Sequence, residues 1–313
     1  MLDILAITTP IFLIIAIGYI AVLRNIVPQT VVRGMGAFVI NFALPCLLIR
    51  TVIAHDINKV FNTNYLVAYG SGSLIVFALG YFFARLVARK SQQNAALQGM
   101  GMSVSNSGFI GYPIVLQLLG PTAGIALALC FIIENLVITP LALILGDSAE
   151  AEGTSRWQIL RKTLARLARN PIIVAIVIGM SISISGITLP GPIFSVIDML
   201  ASASGPVALF VIGGGLVGLK LRGLRFDMAR IVFGKLVLHP LIIFLLLGLV
   251  PDLDPLMKVA AVGFACAPML SVYPIYGQRY GHEGMGAASS LSFITISTAL
   301  WLLDSTAVFG PLP

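Results

Sequence analysis

Glu134 stands in CFIIENLVITP, at the midpoint of the apolar run 122–146, with Asn135 beside it. A carboxylate at the centre of a bilayer costs about 2.5–3.5 kcal/mol on insertion scales. Protonation, a polar partner or a bound cation is therefore expected there, and Glu134 with Asn135 is a candidate for ion coupling. A second polar string, Ser105-Asn106-Ser107-Gly108, lies in GMGMSVSNSGFIGYPIVLQLLG and runs into Tyr112-Pro113. The end of that segment recurs: GYPIVLQLLG (111–120) and VYPIYGQRYG (272–281) share Tyr-Pro-Ile, Gln and Gly in the same places. A proline removes a backbone donor and disfavours helix at the residue before it, so both segments are expected to break. A half-helix starting inside the membrane presents unpaired N–H groups and the positive end of its dipole, which suits a carboxylate. The chemistry these residues could do is the binding and release of a small anion. His239, just before Pro240, is a further candidate for proton coupling.

Covalent chemistry is a poorer fit. Hydrolysis within a membrane needs paired aspartates, a Ser–His or Ser–Lys arrangement, or metal ligands. His55, His239 and His282 fall in separate helices or loops, and neither His-Glu-x-x-His nor a mid-membrane aspartate pair occurs. No enzyme, cofactor or metal centre is expected, beyond possible coupling to H+ or Na+. Cys46, Cys130 and Cys266 are odd in number and lie in apolar segments, as reduced thiols would. Gly-rich VIGGGLVGLK (211–220) sits inside an apolar span and reads as close helix packing, not as a phosphate loop. Lys235 lies only about 9 Å from the start of its span, at 1.5 Å per residue. It is expected to snorkel to the surface, as Asp198 is expected to reach water near the outer end of another span.

The elements that carry these residues are membrane helices. Hydrophobic residues are 58% of the chain, charged residues 10%, and the mean hydropathy is +1.01; a soluble domain would carry about 25% charged residues. Ten apolar runs have the length of a spanning helix: 4–23, 31–50, 65–89, 94–119, 122–146, 171–187, 192–219, 229–249, 255–280 and 285–304. Strand-type alternation is missing, which argues against a barrel. The net charge of +7 reads as topology, not as a nucleic-acid footprint. Most Lys and Arg fall in loops after odd-numbered spans, which places those loops inside and both termini outside. The first run lacks a basic leading region and a cleavage site and reads as a retained helix. The loop 147–170 is then cytoplasmic, its half RWQILRKTLARLARN lying along anionic lipid.

The offset of 161 between the Tyr-Pro strings also pairs Pro10 with Pro171, Gly18 with Gly179 and Pro45 with Pro206. This gives two repeats, 1–146 and 171–313, joined by 147–170. Five helices per repeat is odd, so the halves insert in opposite senses, the build of many alternating-access carriers. The fold class expected is an all-α polytopic membrane protein, ten transmembrane helices as two inverted five-helix repeats with helices 4 and 9 broken and crossing.

The strings NFALPCLLI in helix 2 and SNSGFIGYP in helix 4 resemble the auxin efflux carrier family, whose bacterial members include malonate-type carriers. Where many members read Asn-Ala-Tyr after the helix-9 proline, this chain has Ser271-Val272-Tyr273. The resemblance implies a scaffold of helices 1, 2, 6 and 7 and a transport domain of helices 3–5 and 8–10, shifting like an elevator. It implies an organic anion bound where helices 4 and 9 cross, by Ser105, Asn106, Ser107, Gly108, Tyr112 and Pro113 and by Pro268, Ser271, Tyr273 and Pro274. Asn41 and Pro45 of helix 2, with Ser204 and Pro206 of helix 7, would face it. A homodimer through the scaffold, in the bacterial inner membrane among lipids, completes the expectation. The alternatives are a sodium-coupled organic anion symporter of bile-acid-symporter-like type and a carrier-derived sensor.

Overall fold

The computed structural model describes residues 2–54, 62–148, 161, 164–165, 167–218, 226–250, 252–270 and 273. The expected tenth span (285–304), the later half of the ninth with Ser271 and Pro274, His55, His282 and most of the segment 156–170 lie outside the described residues. What is described is helical: α1 (Leu2–Leu23), α2 (Gln29–Ala54), α3 (Thr63–Val87), α4 (Gln92–Ser103), α5 (Ser107–Leu119), α6 (Thr122–Ser148), α7 (Pro171–Ser185), α8 (Gly191–Gly215), α9 (Phe226–Gly248) and α10 (Pro255–Cys266). By length and composition α2, α3, α6, α8 and α9 can each cross a membrane. Stripes of exposed Leu13, Ile17 and Ile20 on α1, and of Leu241 and Leu245 on α9, belong against lipid rather than water. The chain is an integral membrane protein.

Local chemistry sets the helix ends. Ser91, Asn170 and Asp254 accept backbone N–H bonds of the turns they precede, and Pro171 and Pro255 take first-turn positions where no donor is missed. Asn25, in the left-handed region at φ 56°, closes α1.

Prolines inside these helices are handled by a recurring device. A wide π turn ends two residues ahead of each of four of them: Val39–Ala43 before Pro45, Ser107–Gly111 before Pro113, Ile133–Ile138 before Pro140 and Gly234–Leu238 before Pro240. A turn bonded five residues apart swings carbonyls away from the ring that would otherwise collide with them. The same turns carry Asn41, Ser107, Glu134 with Asn135, and Lys235.

This relocates one expected feature. The first interruption of helix is at Val104–Asn106, upstream of the Gly108–Pro113 segment to which composition pointed. Val104 is extended (φ −106°, ψ 129°), while Pro113 lies within α5 behind its π turn. A second interruption covers Ala267–Leu270.

The residues form two compact units. The first is Met1–Asn62, Gly108–Leu129 and Arg169–Leu219; the second is Thr63–Ser107, Cys130–Ala168 and Lys220–Pro313. In the first, α8 packs along α1 and α2, and α7 against α2. The glycines of the 211–220 run make this possible: a β-carbon on Gly213 would collide with the Ile15 carbonyl of α1, and one on Gly214 with Val22 and Val32. Gly213→Val is expected to lower stability by more than the about 1–3 kcal/mol usual for overpacking, because backbone must yield. Loss of monodisperse protein on detergent extraction, with a lower Tm, checks it.

In the second unit α3, α4, α9 and α10 pack together with the later half of α6. Its core includes Val76, Leu97, Met102, Leu143, Ile231, Leu236 and Met269. Tyr273 is buried there and donates its hydroxyl to the Leu97 carbonyl at 3.0 Å.

Candidate functional site

The two interruptions meet within the second unit. Ser105 and Met269 form an antiparallel bridge, and the Asn106 N–H donates to the Pro268 carbonyl at 2.7 Å. Extended backbone in the middle of a membrane helix bundle needs such partners, since hydrocarbon offers none. Ser105, Asn106 and Ser107 are all buried.

Glu134, 2% exposed on the π turn of α6, is drawn to this junction. Its Oε1 accepts from the Ser107 hydroxyl at 2.7 Å, the Ser105 N–H at 3.2 Å and the Tyr69 hydroxyl at 3.4 Å. Three donors on one oxygen is a site for an anionic carboxylate. Its other oxygen has no partner among the described residues.

Lys235 answers it from α9. Snorkelling is contradicted: the side chain is 0% exposed and turns into the bundle from the π turn Gly234–Leu238. Its Nζ donates to Ser105 Oγ at 2.6 Å and the Ala265 carbonyl at 2.9 Å, and meets His239 Nδ1 at 2.7 Å. Three acceptors for three protons fit an ammonium. His239 is then the neutral Nε2–H tautomer, whose remaining N–H points at Ser73 Oγ, 3.0 Å away. Tyr69 closes the group, with its ring edge-on to the imidazole at 5.8 Å between centroids. Ser105 therefore links the two charges, its N–H on Glu134 and its Oγ on Lys235.

Pairs that the sequence did not suggest now stand together: Ser105 with Lys235, and Ser73 with His239. Each resembles half of a nucleophile–base dyad. A base must hold a free lone pair, however, and an ammonium donating three bonds has none to receive the serine proton. With Lys235 as an ammonium, the arrangement holds a buried charge pair in place and has no lone pair with which to activate a hydroxyl.

The remaining expected residues divide between the units. With the junction lie Ser105, Asn106, Ser107, Pro268, Glu134 and His239. Asn135 is on the same π turn as Glu134, its amide on the Phe131 carbonyl at 3.1 Å, and Tyr273 is in the core. The first unit holds Asn41, exposed with its amide on the Ala37 carbonyl (2.8 Å), together with Pro45, Gly108, Tyr112 and Pro113, all buried. It also holds Ser204, bonded to the Ala201 carbonyl at 2.6 Å, and exposed Pro206. Lys235, Tyr69 and Ser73 were missed as site residues. The available signal was the Lys235-x-x-x-His239-Pro240 spacing, which puts both side chains on one helix face.

The family described as "Membrane transport protein" matches residues 4–303. The chain is 27% identical over 314 residues to a "Putative malonate transporter" of Rhizobium meliloti (strain 1021), across 98% of both chains. It is 24% identical over 310 residues to the "Uncharacterized transporter YfdV" of Escherichia coli (strain K12), across 96% of each. A third relative is the "Lysosomal cholesterol signaling protein" of Mus musculus, 25% identical over 319 residues that make up 93% of this chain and 36% of that one.

Proposed function

Because the chain belongs to the membrane transport protein family, that of the auxin efflux carriers, we propose that it is a secondary active transporter of a small organic anion. The substrate binds at the joined interruptions and crosses by elevator-type alternating access. It acts as a homodimer in the inner membrane, with both termini outside and 147–170 in the cytoplasm. The observation that carries this reading is the junction itself: extended backbone at Ser105–Asn106 against Pro268–Met269, with Glu134 and Lys235 buried on either side of Ser105. Polar backbone inside a membrane protein is kept where something binds or passes.

Two features support the finer parts. An offset of 161 carries Val104–Asn106 to 265–267, which meets the interruption at Ala267–Leu270 in residue 267, close to where an inverted ten-helix repeat would put it. Malonate stands in the name of one relative, which favours a short dicarboxylate. The Lys235 ammonium already uses Ser105 Oγ and the Ala265 carbonyl, oxygens that a sodium ion at the interruption would need. Coupling to protons through Glu134 is preferred to sodium symport on that ground.

The test is charge movement and labelled uptake in proteoliposomes given malonate, succinate and monocarboxylates, with and without sodium, at two pH values. Saturable flux that persists without sodium is expected. Saturable binding without flux of any acid would overturn the carrier reading in favour of a sensor, the direction in which the name of the mouse relative points.

A further inference from the structure

Arg50 is the one basic residue of the first unit, among those described, that is neither at a helix end nor fully exposed. It belongs to the later part of α2, and its side chain keeps 27% of its surface open. Two other helices of the unit converge on it. From α8, Asp198 Oδ1 accepts from Nη1 at 2.6 Å, and Ser202 Oγ lies 3.2 Å from the same nitrogen. From α5, the Tyr112 hydroxyl stands beside the guanidinium, on a residue only 3% exposed. The Asp198 side chain is half open to the outside, at 50%.

The pairing is lopsided. A guanidinium binds a carboxylate best through two parallel N–H bonds, and Asp198 takes one nitrogen with one oxygen. That leaves a guanidinium, in hydrogen-bond reach of the Tyr112 hydroxyl, with 27% of its side chain still open. An aspartate held by a single edge of an arginine, with half of its own side chain still exposed, is a weak anchor. It is also an internal stand-in for a diffusible carboxylate.

We propose that Arg50 is a carboxylate-recognition site at which Asp198 and an organic acid compete: the acid docks in two-point fashion on Arg50, with the Tyr112 hydroxyl donating to it, as Asp198 lets go. This rests on the reading of the chain as an organic anion carrier and adds a specificity residue to it. A dicarboxylate gains from such a site through a carboxylate that a monocarboxylate lacks.

The competition gives opposite signs for the two partners. Arg50→Gln should raise the KM for malonate by about tenfold or more, the scale of a lost charge-assisted bond. Arg50→Lys should recover only part of that, because a point charge cannot replace the fork. Asp198→Asn should lower the KM by about threefold or more, since the competing anion is gone. Malonate and a monocarboxylate are measured in parallel for each variant in proteoliposomes, with thermal unfolding followed to confirm folded protein. A structural salt bridge would make Arg50→Gln and Asp198→Asn worsen together; that result, with the wild type transporting normally, overturns the inference alone. A wild type that takes up no organic acid removes both it and the reading beneath it.

Discussion

Lys235→Met is expected to abolish transport and to lower stability by about 3–5 kcal/mol, the cost of leaving one member of a buried charge pair without the other. The methionine fills similar space but leaves the Ala265 carbonyl, Ser105 Oγ and His239 Nδ1 without the proton each receives. It also leaves the Glu134 carboxylate to face Ser105 with no cation behind it. Those two losses can be separated. In Lys235→Met with Glu134→Gln no net charge remains buried, so the double variant should be more stable than Lys235→Met alone even though it transports nothing. Thermal unfolding of the four members of the cycle in detergent measures the coupling. Additive losses would mean that the two charges do not sense one another across Ser105, and the junction would then be two separate polar contacts. Arginine would be no remedy at this position, because its longer planar group cannot place three protons on acceptors arranged around a single nitrogen.

Glu134→Gln is expected to keep the hydrogen bonds of the junction and to remove coupling, at the stability cost of leaving the buried Lys235 ammonium without its counter-charge. The amide oxygen can accept from Ser107, Ser105 and Tyr69 as Oε1 does, so the junction keeps its bonds. What disappears is a carboxylate that can take up a proton. Uptake driven by a pH gradient should fall by about 5–150-fold, the range of a 1–3 kcal/mol coupling. Exchange of labelled for unlabelled acid at equal pH should survive, and its rate should lose dependence on pH. Tyr69 of α3, Lys235 of α9 and the two serines stand around the carboxylate, with Cys130 of α6 and Tyr65 of α3 close by, so Tyr69→Phe serves as control: it removes the longest of the three bonds and should leave the pH response in place. Gradient-driven uptake that Glu134→Gln leaves untouched would return Glu134 to a structural role.

The acid was legible in the sequence because a single carboxylate in the middle of CFIIENLVITP has no inexpensive explanation. Its partners Ser105 and Ser107 were legible as a polar string of unknown address. The lysine was misplaced for a definite reason. Distance from a helix start is a good guide to snorkelling only while the helix is regular, and Lys235 sits on a π turn whose side chains point elsewhere than an α-helical count suggests. Two of its three acceptors come from residues 130 and 30 positions away, and of the three only His239 stands in GKLVLHP. The interruption near the Tyr-Pro string was legible to within about ten residues and no better. Composition makes Gly108, Gly111 and Pro113 the weak point of that segment, whereas the chain breaks at Val104–Asn106, where extended backbone finds Pro268 and Met269. Pairing at a distance decided the place, and the proline was accommodated.

The π turns have a further meaning when counted in residues. Each holds one residue more than the α-helix around it would, a bulge of a single insertion, and a helix advances about 100° per residue. Deleting one residue from Ile133–Ile138 would let α6 run on as a regular helix, and everything ahead of the deletion would turn by about that angle relative to everything after it. Glu134 would leave the Ser105–Ser107 backbone and point between its neighbours. In Gly234–Leu238 the same deletion would carry Lys235 away from Ala265. The charges at the junction are thus aimed by two surplus residues, and the register of the helices, as much as the identity of the side chains, holds the information that brings them together.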